Sequence, residues 1–212
     1  MIAERLAAIR AEIPAGVTLV AVSKAQPASA IREAYQAGQR DFGENYAQEW
    51  RQKADELADL GALRWHFIGG LQTNKVKLLA GRVAYVHTVD RAELARELSR
   101  RFAARAAVAR VFLEVNVGGE ASKEGCTPEA AAALAGEVAA LPALELVGLT
   151  CIPPPAEDPR PHFRALRALR DRLGLRELSM GMSADWRVAI EEGSTFVRIG
   201  TAIFGARAAR PG

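Results

Sequence analysis

Short apolar runs and longer amphipathic stretches alternate along this chain in one unbroken rhythm. The runs are Val17–Ser23, Arg40–Gly43, Arg64–Ile68, Ala84–Thr88, Ala109–Val117, Leu144–Cys151, Glu177–Met180 and Phe196–Ile199. The longer ones are rich in Val, Leu and Phe and too short for helices, which reads as strands buried on both faces. Between them apolar residues recur three or four apart, as in Leu94, Leu98 and Phe102, or Leu166, Leu169 and Leu173. That spacing predicts helices with one buried stripe. They fall at Ser29–Ala37, stopped by Gly38; about Tyr46–Leu60; from Thr73; after a cap at Asp90; from Pro128 as a first-turn proline; at Pro161–Leu173; at Ala184–Glu192, closed by Gly193; and after Gly200. Eight β-then-α units in succession imply parallel strands and right-handed crossovers. The expected fold is a compact (β/α)8, or TIM, barrel as a single domain over residues 1–212. The leading segment Ile2–Ile13 is an extra N-terminal helix, packed outside the barrel or under its floor. An open doubly wound sheet is the rival architecture.

A barrel places its chemistry at the C-terminal strand ends. Lys24 stands at the first of them, one of five lysines in a chain with 28 basic residues. Arginine serves as well as lysine for a surface cation but stays protonated and cannot form a Schiff base, so a lysine at a strand tip suggests amine chemistry. The loops after the seventh and eighth strands read Ser179-Met-Gly-Met-Ser183 and Arg198-Ile-Gly-Thr201. Glycines and hydroxyls before helix starts suit a phosphate, although a serine there is often only a helix cap. In a closed barrel these loops neighbour Lys24, and an imine-forming lysine beside a phosphate cup points to pyridoxal 5′-phosphate (PLP). Arg198 shares a strand face with Gly200 and can reach the ring nitrogen from inside the barrel. A guanidinium there keeps that nitrogen unprotonated and weakens the ring as an electron sink. The plainer reading of Arg198 is a strand arginine paired with a carboxylate such as Glu114.

Further motifs run through nearly the whole chain: Val22-Ser-Lys24, Phe42-Gly-Glu-Asn-Tyr-Ala-Gln-Glu49, Trp65-His-Phe-Ile-Gly69, Leu71-Gln-Thr-Asn-Lys75, His87-Thr-Val-Asp-Arg91, Glu120-Ala-Ser-Lys123, Leu178-Ser-Met-Gly-Met-Ser183 and Val197-Arg-Ile-Gly-Thr-Ala-Ile-Phe-Gly205. In these the sequence resembles the YggS/PROSC family of pyridoxal phosphate homeostasis proteins, related to the N-terminal barrel of alanine racemase. The resemblance implies that Lys24 carries PLP as an internal aldimine. It implies further that Ser179, Ser183, Gly200 and Thr201 cradle the phosphate, that Arg198 faces the ring nitrogen, and that Asn45 lines the ring. Gly70 departs from the family, which usually has proline there, and loosens that loop.

Two functions follow as expectations. The first is a non-catalytic carrier that holds PLP reversibly and regulates its intracellular level, with apo PLP-dependent enzymes as acceptors. A single barrel with no second domain to close over a substrate fits it. The second is a PLP-dependent amino-acid racemase, which needs acid–base groups on both faces of the ring. His66 and His87 lie near strand ends but read as structural hydrogen-bonding residues. Lys75 and Lys123, on mouth loops, are candidates for accepting the aldehyde during hand-over, with surface lysines as the simpler account.

Composition narrows the field further. Half of the residues are apolar and the net charge is +3. The basic stretch Arg164, Arg167, Arg170, Arg172 lies opposite a leucine stripe and lacks interleaved aromatics, so it reads as a solvated helix face and no nucleic-acid partner is expected. No apolar run approaches the roughly 20 residues of a membrane span, and the acid-bearing N-terminus is unlike a signal peptide. A cytoplasmic monomer is expected. Cys126 and Cys151 have no metal or redox spacing and read as buried free thiols.

Overall fold

The structure is a computed structural model and describes residues 1–120 and 124–205. Eight parallel strands close into a barrel in chain order: β1 (Thr18–Val22), β2 (Asp41–Glu44), β3 (Arg64–Phe67), β4 (Tyr85–Val89), β5 (Ala109–Glu114), β6 (Leu144–Thr150), β7 (Glu177–Ser179) and β8 (Phe196–Ile199). Closure is made by β8 on β1, with Leu19 beside Val197 and Ala21 beside Ile199. The open-sheet alternative is thereby set aside.

Alternation along each strand sorts the side chains into two cores. Leu19, Ala21, Val111, Leu113, Val197 and Ile199 face outward into the large core beneath the helices. Val20, Phe112, Val147 and Phe196 face inward, with Tyr85 packed against them, and plug the lower lumen. Beside these apolar side chains the lumen also holds polar ones: His66, His87, Glu114, Ser179 and Arg198 are all buried.

The helices are α1 (Ile2–Glu12), α2 (Ala28–Gln36), α3 (Ala47–Glu56), α4 (Val76–Leu79, after a 3-10 turn over Thr73–Lys75), α5 (Ala92–Ala103), α6 (Ala131–Ala139), α7 (Pro159–Arg172), α8 (Trp186–Glu191) and α9 (Thr201–Phe204). The extra helix α1 lies outside, against α2 and α9, where Arg10 Nη1 donates to Ala37 O at 2.9 Å.

Several expected boundaries move for local reasons. Asp90 does not cap α5; its carboxylate pairs with Arg91 at 2.7 Å. Pro128 sits in a turn, closed by the Ala130 N–H on Thr127 Oγ1, and α6 starts three residues later. α7 begins earlier than expected because Asp158 accepts the Arg160 N–H at 3.0 Å and Pro159 opens its first turn. Its arginine stripe is not simply solvated: Arg160, Arg164 and Arg167 converge on the Glu192 carboxylate at 2.7, 3.1 and 3.4 Å. Of the two free cysteines, Cys151 is buried and Cys126 only half-buried.

Candidate functional site

The tip of β1 carries Lys24 on a tight turn closed by the Gln26 N–H on Ser23 O at 3.0 Å. The next residue, Ala25, has φ +58°, a left-handed conformation that a non-glycine residue rarely holds without support. Support comes from α3. Glu49 Oε1 accepts the Ala25 N–H at 2.6 Å, and Lys53 Nζ donates to Glu49 Oε1, Glu44 Oε1 and Ser23 O, each at 2.7 Å. The Ser23 hydroxyl donates to the same Glu44 oxygen at 2.6 Å. Glu44 and Ser23 are fully buried and Lys53 nearly so. Burial raises the Glu44 carboxyl above its ordinary value, and Lys53 opposes that rise.

Beside this turn the barrel mouth holds a cavity of about 320 Å³, lined by Lys24, Asn45, Ser183, Arg198, Gly200 and Thr201 together with apolar Val22, Ile68, Ile152 and Met182. The lining contains two cations and no carboxylate. The hydroxyls of Ser183 and Thr201 lie 3.4 Å apart, and neither caps a helix by its side chain. First-turn N–H groups of α9 lack intrahelical acceptors and add donors on that side. Asn45 Oδ1 is buried without a hydrogen-bond partner among the described residues. An anionic, ring-shaped ligand with an electrophilic carbon fits these groups: cations and hydroxyls for the anion, an amine for the carbon, and apolar walls for the ring. The cavity opens outward, since Ile152, Met182, Ser183 and Thr201 are exposed.

Six of the seven expected site residues therefore share one cavity, and Ser179 does not line it. Ser179 ends β7, is fully buried, and points into the lumen. There Arg198 Nη1 donates to Ser179 Oγ and Ser179 O, each at 2.6 Å, and to Thr150 Oγ1 at 2.8 Å, while Nη2 donates to Cys151 O at 3.0 Å. Arg198 is thus held by hydroxyls and carbonyls rather than by Glu114. The Glu114 carboxyl is pushed up to about 7 by burial, with the Glu124 charge adding to the rise, and its Oε2 has no partner among the described residues.

Below Arg198 the polar lumen continues. His87 Nδ1 lies 2.8 Å from Ser179 Oγ, His66 Nδ1 lies 2.9 Å from His87 Nε2, and His66 Nε2 lies 3.0 Å from Asp41 Oδ1. Arg64 clasps the Asp41 carboxylate at 2.7 and 2.6 Å. Burial lowers both imidazoles. For Asp41 burial works upward, yet the Arg64 and His66 hydrogen bonds win and hold it at about 2.

A second cavity of about 360 Å³ shares Asn45 as a wall and is lined by Gly70, Lys75, Asp90, Arg91 and Glu124 among others. A Cβ at Gly70 would run into the Glu124 carboxylate, so the glycine gives that side chain its place. Lys75 faces this neighbouring cavity and not the one holding Lys24, and Lys123 lies outside the described residues.

The family model of the alanine racemase N-terminal domain matches residues 1–208 of this closed barrel. The chain is 50% identical to the pyridoxal phosphate homeostasis protein of Pseudomonas aeruginosa, over 97% of this chain and 96% of that relative. It is 45% identical to the protein of the same name from Escherichia coli K12, over 92% of this chain and 87% of the relative. It belongs to the pyridoxal phosphate homeostasis protein family. Among solved structures, PipY of Synechococcus elongatus with PLP bound superposes with a TM-score of 0.91 at 38% identity, covering 97% of this chain and all of PipY. Alanine racemase from Corynebacterium glutamicum shares the fold, with a TM-score of 0.72 at 19% identity, and this chain covers 60% of it.

Proposed function

We propose that this protein holds PLP on Lys24 and regulates its supply as a carrier, without sustained turnover. The observation that carries the reading is the mouth cavity, which combines an amine on a locked turn with a second cation, two hydroxyls and no carboxylate. When bound, PLP supplies an aldehyde and an electron-withdrawing ring. Lys24 supplies the amine that condenses with the aldehyde carbon, releasing one water. Ser183, Thr201 and the backbone around Gly200 bind the phosphate, and Asn45 lines the ring. Arg198 meets the ring nitrogen as a donor, which keeps that nitrogen unprotonated and blunts carbanion chemistry. Ser179 serves from beneath, through Arg198.

The structure of PipY with PLP, and the name shared by the relatives, support this reading. The lining supports a carrier over a racemase. Of the described residues that line the cavity, Lys24 is the only one suited to exchange protons with a ligand, and racemisation needs a second such group across the ring. The open mouth suits release to apo PLP-dependent enzymes. We place the protein in the cytoplasm as a monomer; no helix of the described residues is long and apolar enough to cross a membrane.

The test is an absorption spectrum of the purified protein with PLP, before and after borohydride, for wild type and Lys24→Ala. A visible band, fixed by reduction and lost in the variant, is the expected result. A wild type without a band would overturn the reading. Sustained conversion of L-alanine to D-alanine, abolished by Lys24→Ala, would replace the carrier with a racemase.

A further inference from the structure

The polar chain in the lumen has one direction, which its Asp41 end dictates and its Arg198 end fits. An arginine has no acceptor, so Ser179 Oγ must accept from Arg198 Nη1 at 2.6 Å. The serine proton then has an acceptor in His87 Nδ1 at 2.8 Å when that nitrogen is bare. His87 then carries its proton on Nε2 and donates to His66 Nδ1 at 2.9 Å. His66 in turn carries its proton on Nε2 and donates to Asp41 Oδ1 at 3.0 Å. Starting from the other end gives the same answer. Asp41 is a carboxylate clasped by Arg64, it can only accept, and it fixes the His66 proton on Nε2. With His87 in this tautomer, a proton added to His66 Nδ1 would face the His87 Nε2–H, and one added to His87 Nδ1 would turn the serine proton away from its acceptor.

The two rings have little freedom to turn. His66 stacks on Tyr85 with centroids 4.5 Å apart, and His87 stacks on Phe112 at 4.4 Å. At the upper end Arg198 Nη1 is saturated by Thr150 and Ser179, while Nη2 meets one carbonyl. N–H groups on Nη2 and Nε remain for the cavity that Arg198 lines.

We propose that His87 is a positioning residue for Arg198: through the Ser179 hydroxyl it fixes the guanidinium under the cofactor cavity, and His66 with Asp41 fixes the tautomer of His87 from behind. Asp41 at the barrel floor and Arg198 at the cofactor are then two ends of one oriented device that spans the lumen. Its effect is to hold Arg198 in a single orientation, so that one edge of the guanidinium meets the ligand. The proposal rests on the PLP reading above for what Arg198 meets, but the direction of the chain is a property of the protein alone.

The first test is 15N–1H NMR of the imidazoles in the ligand-free protein. The chain has three histidines, and His162 pairs with Glu157 on the outside, which separates it from the two lumen rings. Both lumen histidines are expected neutral with the proton on Nε2. A proton on Nδ1 of His87 would overturn the proposal, and the measurement needs no variant. The second test loads His87→Phe and His87→Asn with PLP. Phenylalanine keeps the stack on Phe112 and removes the acceptor; the Asn carbonyl replaces it. The visible band of His87→Phe should shift and its PLP dissociation constant rise by up to about tenfold, with His87→Asn within about twofold of wild type, as expected for one neutral hydrogen bond. A wild-type band and affinity in His87→Phe, even with a lowered melting temperature, would make His87 merely structural and overturn the proposal, as would a His87→Asn no better than His87→Phe. Absence of a band in wild type would overturn the PLP reading, while the tautomers seen by NMR would still decide the direction of the chain.

Discussion

Lys53→Met isolates the support beneath the Lys24 turn. The ammonium has three acceptors at 2.7 Å, two of them carboxylates, and the side chain is 7% exposed. Methionine keeps much of the volume and removes the charge. Glu44 is then left fully buried, with one oxygen unpartnered and the other holding only the Ser23 hydroxyl. Breaking a buried pair by removing one partner costs about 3–5 kcal/mol at neutral pH. That is a large part of a typical total stability of roughly 5–15 kcal/mol, so the variant should fold but unfold early. The cost should depend on pH in a definite sense. Burial already raises the folded-state value for Glu44, and losing Lys53 raises it further. A carboxyl with a raised folded value holds its proton when the unfolded chain has lost it, so stability falls as pH rises. Urea unfolding at pH 5 and pH 8 should therefore show the smaller deficit at pH 5. Adding Glu44→Gln should recover much of the loss at pH 8. A deficit below about 1 kcal/mol at pH 8, or one unchanged with pH, would refute the reasoning, because it would mean that the pair is effectively solvated.

Removing the two cup hydroxyls in Ser183→Ala and Thr201→Val should each raise the PLP dissociation constant roughly tenfold or more, while a borohydride-fixed band persists at saturation; a spectrophotometric titration reads this. A Cβ at Gly69 would collide with Asn45 O and lie 2.7 Å from Asn45 Cα, backbone that cannot yield cheaply. Gly69→Ala should therefore cost about 2–3 kcal/mol in urea unfolding and weaken PLP binding through Asn45. His66 and His87 titrate below their ordinary 6.5 because they are buried, so the unfolded chain binds more protons once the pH drops under that value. Stability should decline as pH falls below about 6.5, and His87→Phe should lessen the slope of melting temperature against pH there.

The strands were legible because each is a short apolar run buried on both faces, and Gly38 and Gly193 stop helices where positive φ is needed. Lys24, Ser183, Gly200 and Thr201 could be gathered by one rule, that barrel chemistry sits at C-terminal strand ends. Ser179 shows the limit of that rule. As the last residue of β7 it aligns with Thr150 on β6 and turns inward, and one residue more or less of strand would have changed its face. Lys53 was hidden for another reason. Its segment AQEWRQKADE is mostly polar, and only the packing of α3 over β2 shows that this one cation is buried. The histidine chain draws on β2, β3, β4, β7 and β8, so no local pattern announces it. What the sequence does hold is its stopping point, because Asp41 and Arg64 are register partners on β2 and β3.

The left-handed backbone at Ala25 has a consequence for how loading is felt elsewhere. It is maintained by Glu49, a residue of the outer helix layer, so the shape of the Lys24 turn and the docking of α3 are two readings of one equilibrium. Linkage is reciprocal: a ligand that steadies the turn must steady the helix by the same free energy. Amide hydrogens in the last turns of α3, around Lys53, should exchange more slowly in the loaded protein than in the empty one. The occupancy of the barrel mouth is thereby recorded on its flank.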